Sequence, residues 1–290
     1  MLNLRFAFFF FLFILSASAA HTQEKWTNML DKDLSKWELY LSFEHKNDYN
    51  GQTPVNQNGD PLEPVGYNKN VKQVFSVAGE KGEAVLRISG EIYGCIFTRE
   101  IFENYHLKLK VKWGVPKWEP RLDKLKDSGI LYHSVGKCGV DYWKSWMLSQ
   151  EFQIMEGHMG DYWTIANAAI DIRAFIPEGT MNPVASQKQP FIPFGGQSAN
   201  GGFCMRSADY ESPAGDWTQL ELICFEGKSI HIVNGHIVMV LQNSRYTENG
   251  KSFPLTKGKI QLQSEAAEVF FKDIHIKKLD TLPEDMAKLF

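Results

Sequence analysis

The sequence predicts an all-β fold, a sandwich or jelly roll, and three observations support this prediction. Short strand candidates follow one another at regular spacing, residues 106–113 alternate strictly between polar and apolar side chains, and convincing helices are few. Successive strand side chains point to opposite faces, so residues 106–113 read as a half-buried antiparallel strand with a lysine-rich solvated face.

Ten strand candidates follow one another along the chain. They span residues 83–88, 93–99, 106–113, 128–133, 151–156, 219–224, 229–233, 237–241, 258–263 and 269–277. Asn234-Gly235 separates two of them and is a strong hairpin signal, because both residues tolerate positive φ angles. Residues 283–288 are the best helix candidate.

Three connections carry loop signals. Residues 44–70 are rich in Asn, Gly and Pro, and residues 115–127 predict a long loop or a short helix. Residues 174–202 hold four prolines, and a structureless stretch of this length is usually functional or disordered. We therefore expect residues 174–202 to lie over or beside the functional site.

The N-terminus resembles an export signal. Arg5 precedes an apolar run at residues 6–15, and small residues at 17–20 supply a cleavage site. The run is shorter than the about 20 residues that a transmembrane helix needs. We predict a signal peptide at residues 1–20, a mature single domain at 21–290 without a membrane span, and a periplasmic or secreted location.

Charge and cysteine content limit the partners and the redox chemistry. The chain has 31 basic and 34 acidic residues and no basic stripe, so nucleic acid is not an expected partner. Its four cysteines, Cys95, Cys138, Cys204 and Cys224, lack a CxxC spacing. In an oxidising compartment they allow up to two disulfides in three connectivities, and buried free thiols are an equal alternative.

The stretch from residue 149 to 163 carries the main functional signal. Read as a strand, it places Glu151 and Gln153 on one face and Phe152 and Ile154 on the other. Further ionisable and aromatic residues follow within a few positions. Acids, an amide and an imidazole beside aromatic rings on a β-surface are typical of sugar chemistry.

Spacing limits which neighbours can join Glu151. Glu156 lies at odd spacing, so an unbroken strand places it on the opposite face, and it joins the site only through a bulge or a turn at Gly157. His158 and Asp161 are loop residues, and a local hydrogen-bonded turn is an alternative to a binding role for them.

An ordered series of motifs along residues 26–279 resembles a known family. The series comprises Asp33-Leu-Ser-Lys-Trp37, Lys117-Trp-Glu-Pro-Arg121, Asp127-Ser-Gly-Ile-Leu-Tyr-His133, Trp146-Met-Leu-Ser-Gln-Glu-Phe-Gln-Ile154, Gly160-Asp-Tyr-Trp163, Gly215-Asp-Trp217, Asn234-Gly235, Gly258-Lys-Ile-Gln-Leu-Gln263 and Val269-Phe-Phe-Lys-Asp-Ile-His-Ile276. The family is that of the 3-keto-disaccharide hydrolase domains. The resemblance implies a concanavalin A-like jelly roll of two antiparallel sheets with few short helices. It also implies cleavage of glycosides whose C3 hydroxyl a separate sugar 3-oxidoreductase has oxidised.

The implied chemistry suggests roles for individual residues. A ketone at C3 makes the C2 hydrogen acidic, so the site needs a base, a group that stabilises the oxyanion, and an acid for the leaving group. The candidate catalytic residues are Glu151, His133, Glu156 and His158, with Glu151 or His133 as the base. The candidate substrate-binding residues are Arg99, Gln153, Asp161, Tyr132, Trp143, Tyr162 and Trp163. No cofactor is assigned, but a divalent metal ion held by some of Glu151, His133, Glu156, His158 and Asp161 is an alternative to Arg99 at the oxyanion.

Other interpretations stay open from the sequence alone. His133 fits a core histidine equally well, and Arg99 fits an ion pair with Glu100. One different function is a retaining β-glucanase using Glu151 and Glu156, although Gln153 replaces the central acid of that enzyme signature. Another is a non-catalytic carbohydrate-binding module.

Overall fold

Strands dominate the part of the chain that this computed structural model describes, residues 25–80 and 83–290. The strands are β1 (Thr27–Asn28), β2 (Trp37–Leu41), β3 (Gly66–Tyr67), β4 (Phe75–Glu80), β5 (Glu83–Ile88), β6 (Gly94–Thr98), β7 (Tyr105–Lys117), β8 (Asp127–Val135), β9 (Leu148–Met155), β10 (Tyr162–Ile165), β11 (Ala168–Phe175), β12 (Val184–Ala185), β13 (Phe191–Gly195), β14 (Phe203–Cys204), β15 (Thr218–Phe225), β16 (Lys228–Val233), β17 (His236–Glu248), β18 (Lys251–Pro254), β19 (Lys259–Ser264) and β20 (Ala267–Lys278). The α-helix found in these residues is α1 (Glu284–Ala287). The predicted signal peptide lies outside the described residues, and export stays a prediction.

The described strands form two antiparallel sheets. The larger has the order β12-β11-β17-β16-β15-β7-β20-β5-β4, with β1, β13 and β18 added at its sides. The smaller has the order β14-β10-β9-β8-β19-β6-β2-β3. About half of the neighbours in these orders are distant in sequence, as the crossovers of a jelly roll require, and the predicted jelly-roll sandwich is confirmed.

The main apolar core lies between the two sheets. Phe152 and Ile154 of β9 belong to the same buried cluster as Leu107, Leu109 and Val111 of β7. Alternation along each strand directs these side chains inward, and full burial of such a residue contributes about 1.5–3 kcal/mol. The same alternation turns the intervening polar residues of β9 to the outer face of the smaller sheet.

Most predicted elements are confirmed, although the bounds of many of them differ from the predicted ones. Residues 106–113 lie within β7, whose buried and partly exposed side chains alternate, and residues 283–288 contain α1. Asn234 and Gly235 have φ angles of 46° and 79°, as the two-residue hairpin turn between β16 and β17 requires. The described helices include none that is long and apolar enough to cross a membrane.

One expected loop differs from the structure, and another is confirmed with narrower bounds. The segment 174–202 contains β12 and β13, which pair with β11 at the side of the larger sheet. None of its residues lines the main cleft of the smaller sheet. Between Lys117 and Asp127 the chain forms turns and no helix, because β7 extends through Lys117 and β8 begins at Asp127.

Candidate active site

A cleft of about 540 Å³ lies on the outer face of the smaller sheet. Its polar lining includes Arg121, Asp127, Asp141, Glu151, Gln153, Thr164, Gln263 and Glu265. Its aromatic lining consists of Tyr142, Trp143, Trp146 and Trp163. The cleft therefore combines buried ionisable groups with aromatic walls, a combination suited to a ligand that is partly polar and partly apolar.

Strand alternation places Glu151 and Gln153 side by side in this cleft. Both belong to β9, whose intervening residue Phe152 faces the core. Gln153 pairs with Gly129 of β8, and Glu151 pairs with Trp163 of β10. Both polar side chains are 4% exposed. Two residues of one strand thus supply an acid and an amide to the floor of the cleft.

Gly129 leaves the space in which Glu151 meets Gln263. A Cβ atom at Gly129 would lie 2.4 Å from Glu151 Oε1 and 2.5 Å from Gln263 Oε1. Neither distance is tolerated in a folded protein without a shift of the neighbours. A glycine here is therefore what allows the carboxyl group and the carboxamide to share the floor of the cleft.

The Gly129→Ala variant should displace these two side chains. We expect a loss of about 1–3 kcal/mol in the free energy of unfolding and a fall of about 10²-fold in any activity of the cleft. Gly79→Ala is the matched control, since a Cβ there has no atom within 4 Å. Urea unfolding and turnover measured on both variants test this; equal behaviour of the two would contradict it.

Arg121 links two buried carboxyl groups at one end of the cleft. Its guanidinium contacts Asp127 and donates a hydrogen bond of 2.9 Å to Glu265 Oε1. Gln153 Nε2 donates to the other oxygen of Asp127 at 2.7 Å. Arg121 therefore joins Asp127, Glu265 and, through Asp127, Gln153 in one connected network.

Burial and mutual repulsion raise the pKa values of these acids. Burial raises the pKa of Glu151 well above its ordinary value, and the carboxylates of Glu265 and Asp127 raise it further. Burial also raises the pKa of Asp127 to about 6, although Arg121 opposes the shift, and it raises the pKa of Glu265. Three carboxyl groups thus face one guanidinium, so at least one of the carboxyl groups stays protonated near neutral pH.

Several polar atoms of the network have no protein partner. Among the described residues, Gln153 Oε1 and both carboxamide atoms of Gln263 are buried without a hydrogen bond, and so is Arg121 Nε. Buried polar atoms in folded proteins are nearly always paired. A polar ligand entering the cleft is the natural source of the missing bonds.

Asp141 shapes the aromatic wall. Its carboxylate accepts backbone N–H bonds of 2.7 Å from each of Trp143, Ser145 and Trp146. These bonds hold residues 136–147, which we name the cleft loop, in a compact turn. On the opposite wall Trp163 is 42% exposed and packs against Phe203. The half-buried indole of Trp143 and the exposed indole of Trp163 border the polar floor, where they can hold the faces of a sugar ring.

The cleft brings together four of the predicted site residues. Glu151, Gln153, Trp143 and Trp163 all line it. The remaining predicted residues lie elsewhere, and each is explained by a local feature of the fold.

Tyr132 and Tyr162 face the core rather than the cleft. The Tyr132 hydroxyl lies 3.0 Å from Ser229 Oγ of the larger sheet. The Tyr162 hydroxyl donates to Gln150 Oε1 at 2.5 Å. Because Tyr162 and Trp163 are consecutive in β10, only one of them can face the cleft. Their assignment as sugar-binding residues is corrected accordingly.

His133 lies at an irregularity in β8, away from Glu151. The register of β8 against β9 shifts between Tyr132 and Val135, and His133 has a φ of 53°. Its ring packs near Tyr105 of the larger sheet, with centroids 6.4 Å apart. Burial lowers its pKa to about 4, so the ring is neutral near pH 7. The structure therefore separates His133 from the candidate base and places it in the core.

Glu156 follows the end of β9 and faces a different groove. It lies beside Lys126, with Nζ and Oε1 3.3 Å apart, in a groove that also contains Glu211. A retaining glycosidase needs its two carboxyl groups about 5–5.5 Å apart across one bond. Glu151 and Glu156 line separate clefts, so the predicted glucanase pair is not formed.

His158 and Asp161 stabilise the turn between β9 and β10. Asp161 is fully buried and contacts His158 Nδ1 at 3.2 Å and Arg206 at 3.0 Å. It also accepts the backbone N–H of Arg206 at 2.9 Å. Neither residue lines the cleft. Both belong to a local hydrogen-bonded turn, the alternative that the sequence left open for them.

Arg99 lies on the protein surface. Its guanidinium pairs with Glu38 at 3.0 Å, and its side chain is 55% exposed. The ion-pair interpretation is therefore correct, with Glu38 rather than Glu100 as the partner. Arg99 does not line the cleft, so it is not placed to stabilise an oxyanion there.

The five candidate metal ligands are dispersed by these placements. Glu151 lies in the cleft, His133 in the core, Glu156 in the separate groove, and His158 and Asp161 in the turn. In residues 25–80 and 83–290, no group of three or more His, Cys, Asp or Glu side chains is arranged to hold a metal ion. The predicted ligand set is not assembled.

Among the cleft residues that the sequence did not identify as site residues are four with ionisable or amide side chains on or beside the floor: Arg121, Asp127, Gln263 and Glu265. A signal existed for one of them. Gln261 and Gln263 alternate in β19 with the core residues Ile260 and Leu262, which gives that strand a polar outer face. Arg121 and Glu265 lie in connecting turns, where no strand or helix periodicity predicts the direction of a side chain.

Several solved structures of other proteins are similar to this chain over most of its length. Two crystal structures of Parabacteroides distasonis proteins, provisionally assigned as glycosyl hydrolases, are similar at 18% identity. One has a TM-score of 0.46 and covers 88% of this chain and 100% of its own, and the other has 0.44 with 88% and 94%. A carbohydrate-binding module from Bacillus subtilis is similar at 9% identity and a TM-score of 0.39, covering 70% of this chain and 92% of its own.

No curated protein matches the chain at a significant level. The family model described as the 3-keto-alpha-glucoside-1,2-lyase-like domain matches residues 25–277. That range takes in all twenty described strands except the last residue of β20. The chain therefore belongs to the 3-keto-alpha-glucoside-1,2-lyase-like family of carbohydrate-active proteins.

Proposed function

We propose that this protein is an exported enzyme that cleaves the glycosidic bond of 3-keto glycosides, with Glu151 as the base that removes the C2 proton. A separate sugar 3-oxidoreductase supplies the ketone. The observation that carries the proposal is the floor of the cleft, where the buried carboxyl group of Glu151 adjoins the unpartnered carboxamide of Gln263. Family membership supports the choice of substrate.

The reaction begins with proton transfer from C2 to the Glu151 carboxylate. The electrons of the C2–H bond form a C2=C3 double bond, and negative charge moves to the C3 oxygen. Gln263 Nε2, which lacks a protein partner, donates a hydrogen bond to that oxygen. A buried amide donor is effective there because it needs little reorganisation in a site sheltered from water.

The second step expels the C1 substituent. The C3 ketone re-forms, a C1=C2 double bond appears, and the C1–O bond breaks as the leaving oxygen takes a proton. Glu265, whose pKa is raised by burial and by Asp127, is the donor in this scheme. Glu151 exchanges the proton it has taken with solvent, and water then adds across the double bond. The hydroxyl of that water bonds to C1 while Glu265 takes its proton, and Glu151 delivers a solvent-derived proton to C2. Both acids return to their starting states, and the net reaction is hydrolysis.

The electrostatics of the cleft support these roles. A carboxylate with a raised pKa is a stronger base once deprotonated, and C2 next to a ketone is a weak acid. The same network holds a second carboxyl group protonated near neutral pH. Trp143 and Trp163 provide apolar faces for the sugar rings.

Turnover in deuterium oxide tests the elimination step. The 3-keto product released early in the reaction should carry deuterium at C2, because water delivers that hydrogen after elimination. Mass spectrometry and NMR of the product measure it, and the unoxidised disaccharide should not be cleaved.

Two controls make the result decisive. Product incubated with the enzyme alone measures exchange that follows cleavage, and this background is subtracted. Early product that retains hydrogen at C2 would contradict the elimination and indicate direct displacement at C1. Cleavage of the unoxidised disaccharide would contradict the choice of substrate.

A further inference from the structure

Two cysteines lie against each other beneath the cleft loop. Cys95 of β6 and Cys138 of the cleft loop have their Sγ atoms 3.9 Å apart, although 43 positions separate them in the chain. Cys95 is fully buried, and Cys138 is partly exposed. Cys95 faces the outer side of the smaller sheet because its neighbour Ile96 faces the core.

The surroundings hold both thiols in place. The Cys138 backbone N–H donates to the Tyr67 hydroxyl at 2.8 Å, and the Cys95 thiol donates to Gln261 Oε1 at 3.1 Å. Gly136 and Gly139 flank Cys138 with φ angles of 82° and 89°. A backbone with glycine on both sides can move the short distance that separates this contact from a bond of about 2.05 Å.

We propose that Cys95 and Cys138 form a disulfide that ties the cleft loop to β6. The other two cysteines are not alternative partners, because Cys204 and Cys224 are buried in separate clusters. The proposal selects one pairing among those that the sequence leaves open. It does not depend on the reaction proposed for the cleft.

A disulfide such as oxidised glutathione is the oxidant in this proposal. The Cys138 thiolate, which solvent can reach, attacks one glutathione sulfur, forms a mixed disulfide and releases one glutathione thiolate. Cys95 then attacks Cys138 Sγ and expels the second glutathione, and the proton of the Cys95 thiol passes to the departing glutathione thiolate. The two cysteine thiols are oxidised, and one glutathione disulfide is reduced to two thiols.

The bond would hold the aromatic wall of the cleft. The cleft loop carries Trp143 and Trp146, and its last residue, Met147, donates its backbone N–H at 3.2 Å to the same Gln261 oxygen that Cys95 contacts. The disulfide would anchor the beginning of this loop, and Gln261 its end. Oxidation should therefore make the loop less mobile and raise the melting temperature.

Oxidation of the full mature chain with glutathione disulfide tests the proposal. The intact mass should fall by about two hydrogen atoms, and a peptide map should show one bond between Cys95 and Cys138. Tm should rise by on the order of 5–10 °C and return to its starting value with a reductant. The Cys138→Ser variant should show neither change.

The wild-type peptide map decides the proposal even if the variant does not fold. Four free thiols after oxidation, a bond between other cysteines, or a stable glutathione adduct on Cys138 would each overturn it.

Discussion

The Glu151→Gln variant should lose turnover of a 3-keto disaccharide, with kcat lower by about 10²–10⁴-fold. Gln keeps the shape of the side chain and its position between Gly129 and Gln263, but it cannot accept the C2 proton. Substrate binding should change little, because the aromatic walls and the remaining polar floor are retained. Steady-state kinetics and calorimetric binding of the keto sugar to the variant measure the two effects separately.

The wild-type enzyme should show an acid limb in kcat/KM well above the ordinary Glu pKa of about 4.3. Burial and the neighbouring carboxylates raise the pKa of Glu151, so the base becomes available only as the pH rises through that higher value. The Glu151→Gln variant should lose this limb. A limb unchanged in the variant's residual activity would assign the titration to another group.

The Glu151→Gln substitution should raise the stability of the protein, although it lowers the activity. In the folded state Glu151 binds its proton more tightly than in the unfolded chain, so its contribution is fully present at acidic pH and is lost as the pH rises. The Glu151→Gln variant has no carboxyl group at this position, so it does not lose this stability as the pH rises. The Tm of Glu151→Gln should therefore exceed that of the wild type, and by more at pH 8 than at pH 5.

Glu156→Gln is the matched control for these measurements. The two acids belong to one segment of chain, but Glu156 faces the groove beside Lys126. Its substitution should leave kcat within about twofold, since it lies outside the network of the cleft. A large loss of kcat in Glu156→Gln would restore the two-carboxylate glycosidase as the better explanation.

The fold was predictable because its signals are local. Strict alternation in residues 106–113 predicts which side chains share a strand face, and Asn234-Gly235 predicts a hairpin. Neither prediction requires the positions of residues distant in the sequence. Strands β10 and β11 were missed because Ala166-Asn167, rather than Gly or Pro, forms the turn between them. Ala166 adopts a φ of 56°, and an alanine in the sequence does not predict a positive φ angle.

The site was only partly predictable because it is assembled from four separate parts of the chain. Alternation within β9 identifies Glu151 and Gln153. Arg121 and Glu265 lie in the connections before β8 and after β19, and they join the site because these two distant strands pair. His133 shows a different limit. An unbroken β8 would place it on the same face as Asp127 and Gly129, and the irregularity after Tyr132 redirects it.

The Arg121→Met variant should be the least stable single substitution in the cleft. It removes the guanidinium that contacts Asp127 and Glu265 and leaves two buried carboxyl groups without it. Breaking a buried ion pair by removing one partner costs about 3–5 kcal/mol. We expect that loss in the free energy of urea unfolding at pH 8. Arg99→Met, which breaks the exposed pair with Glu38, should cost less than about 1 kcal/mol.

The pH dependence separates lost charge pairing from lost packing. The pKa of Asp127 is about 6 with Arg121 present, and without the guanidinium it should rise further. At pH 5 the folded variant therefore binds protons that neutralise its carboxyl groups, and its loss of stability should be clearly smaller than at pH 8. Adding Glu265→Gln should recover part of the stability at pH 8. An equal loss at both pH values, without recovery, would mean that Arg121 stabilises the cleft through the packing of its side chain rather than through its charge.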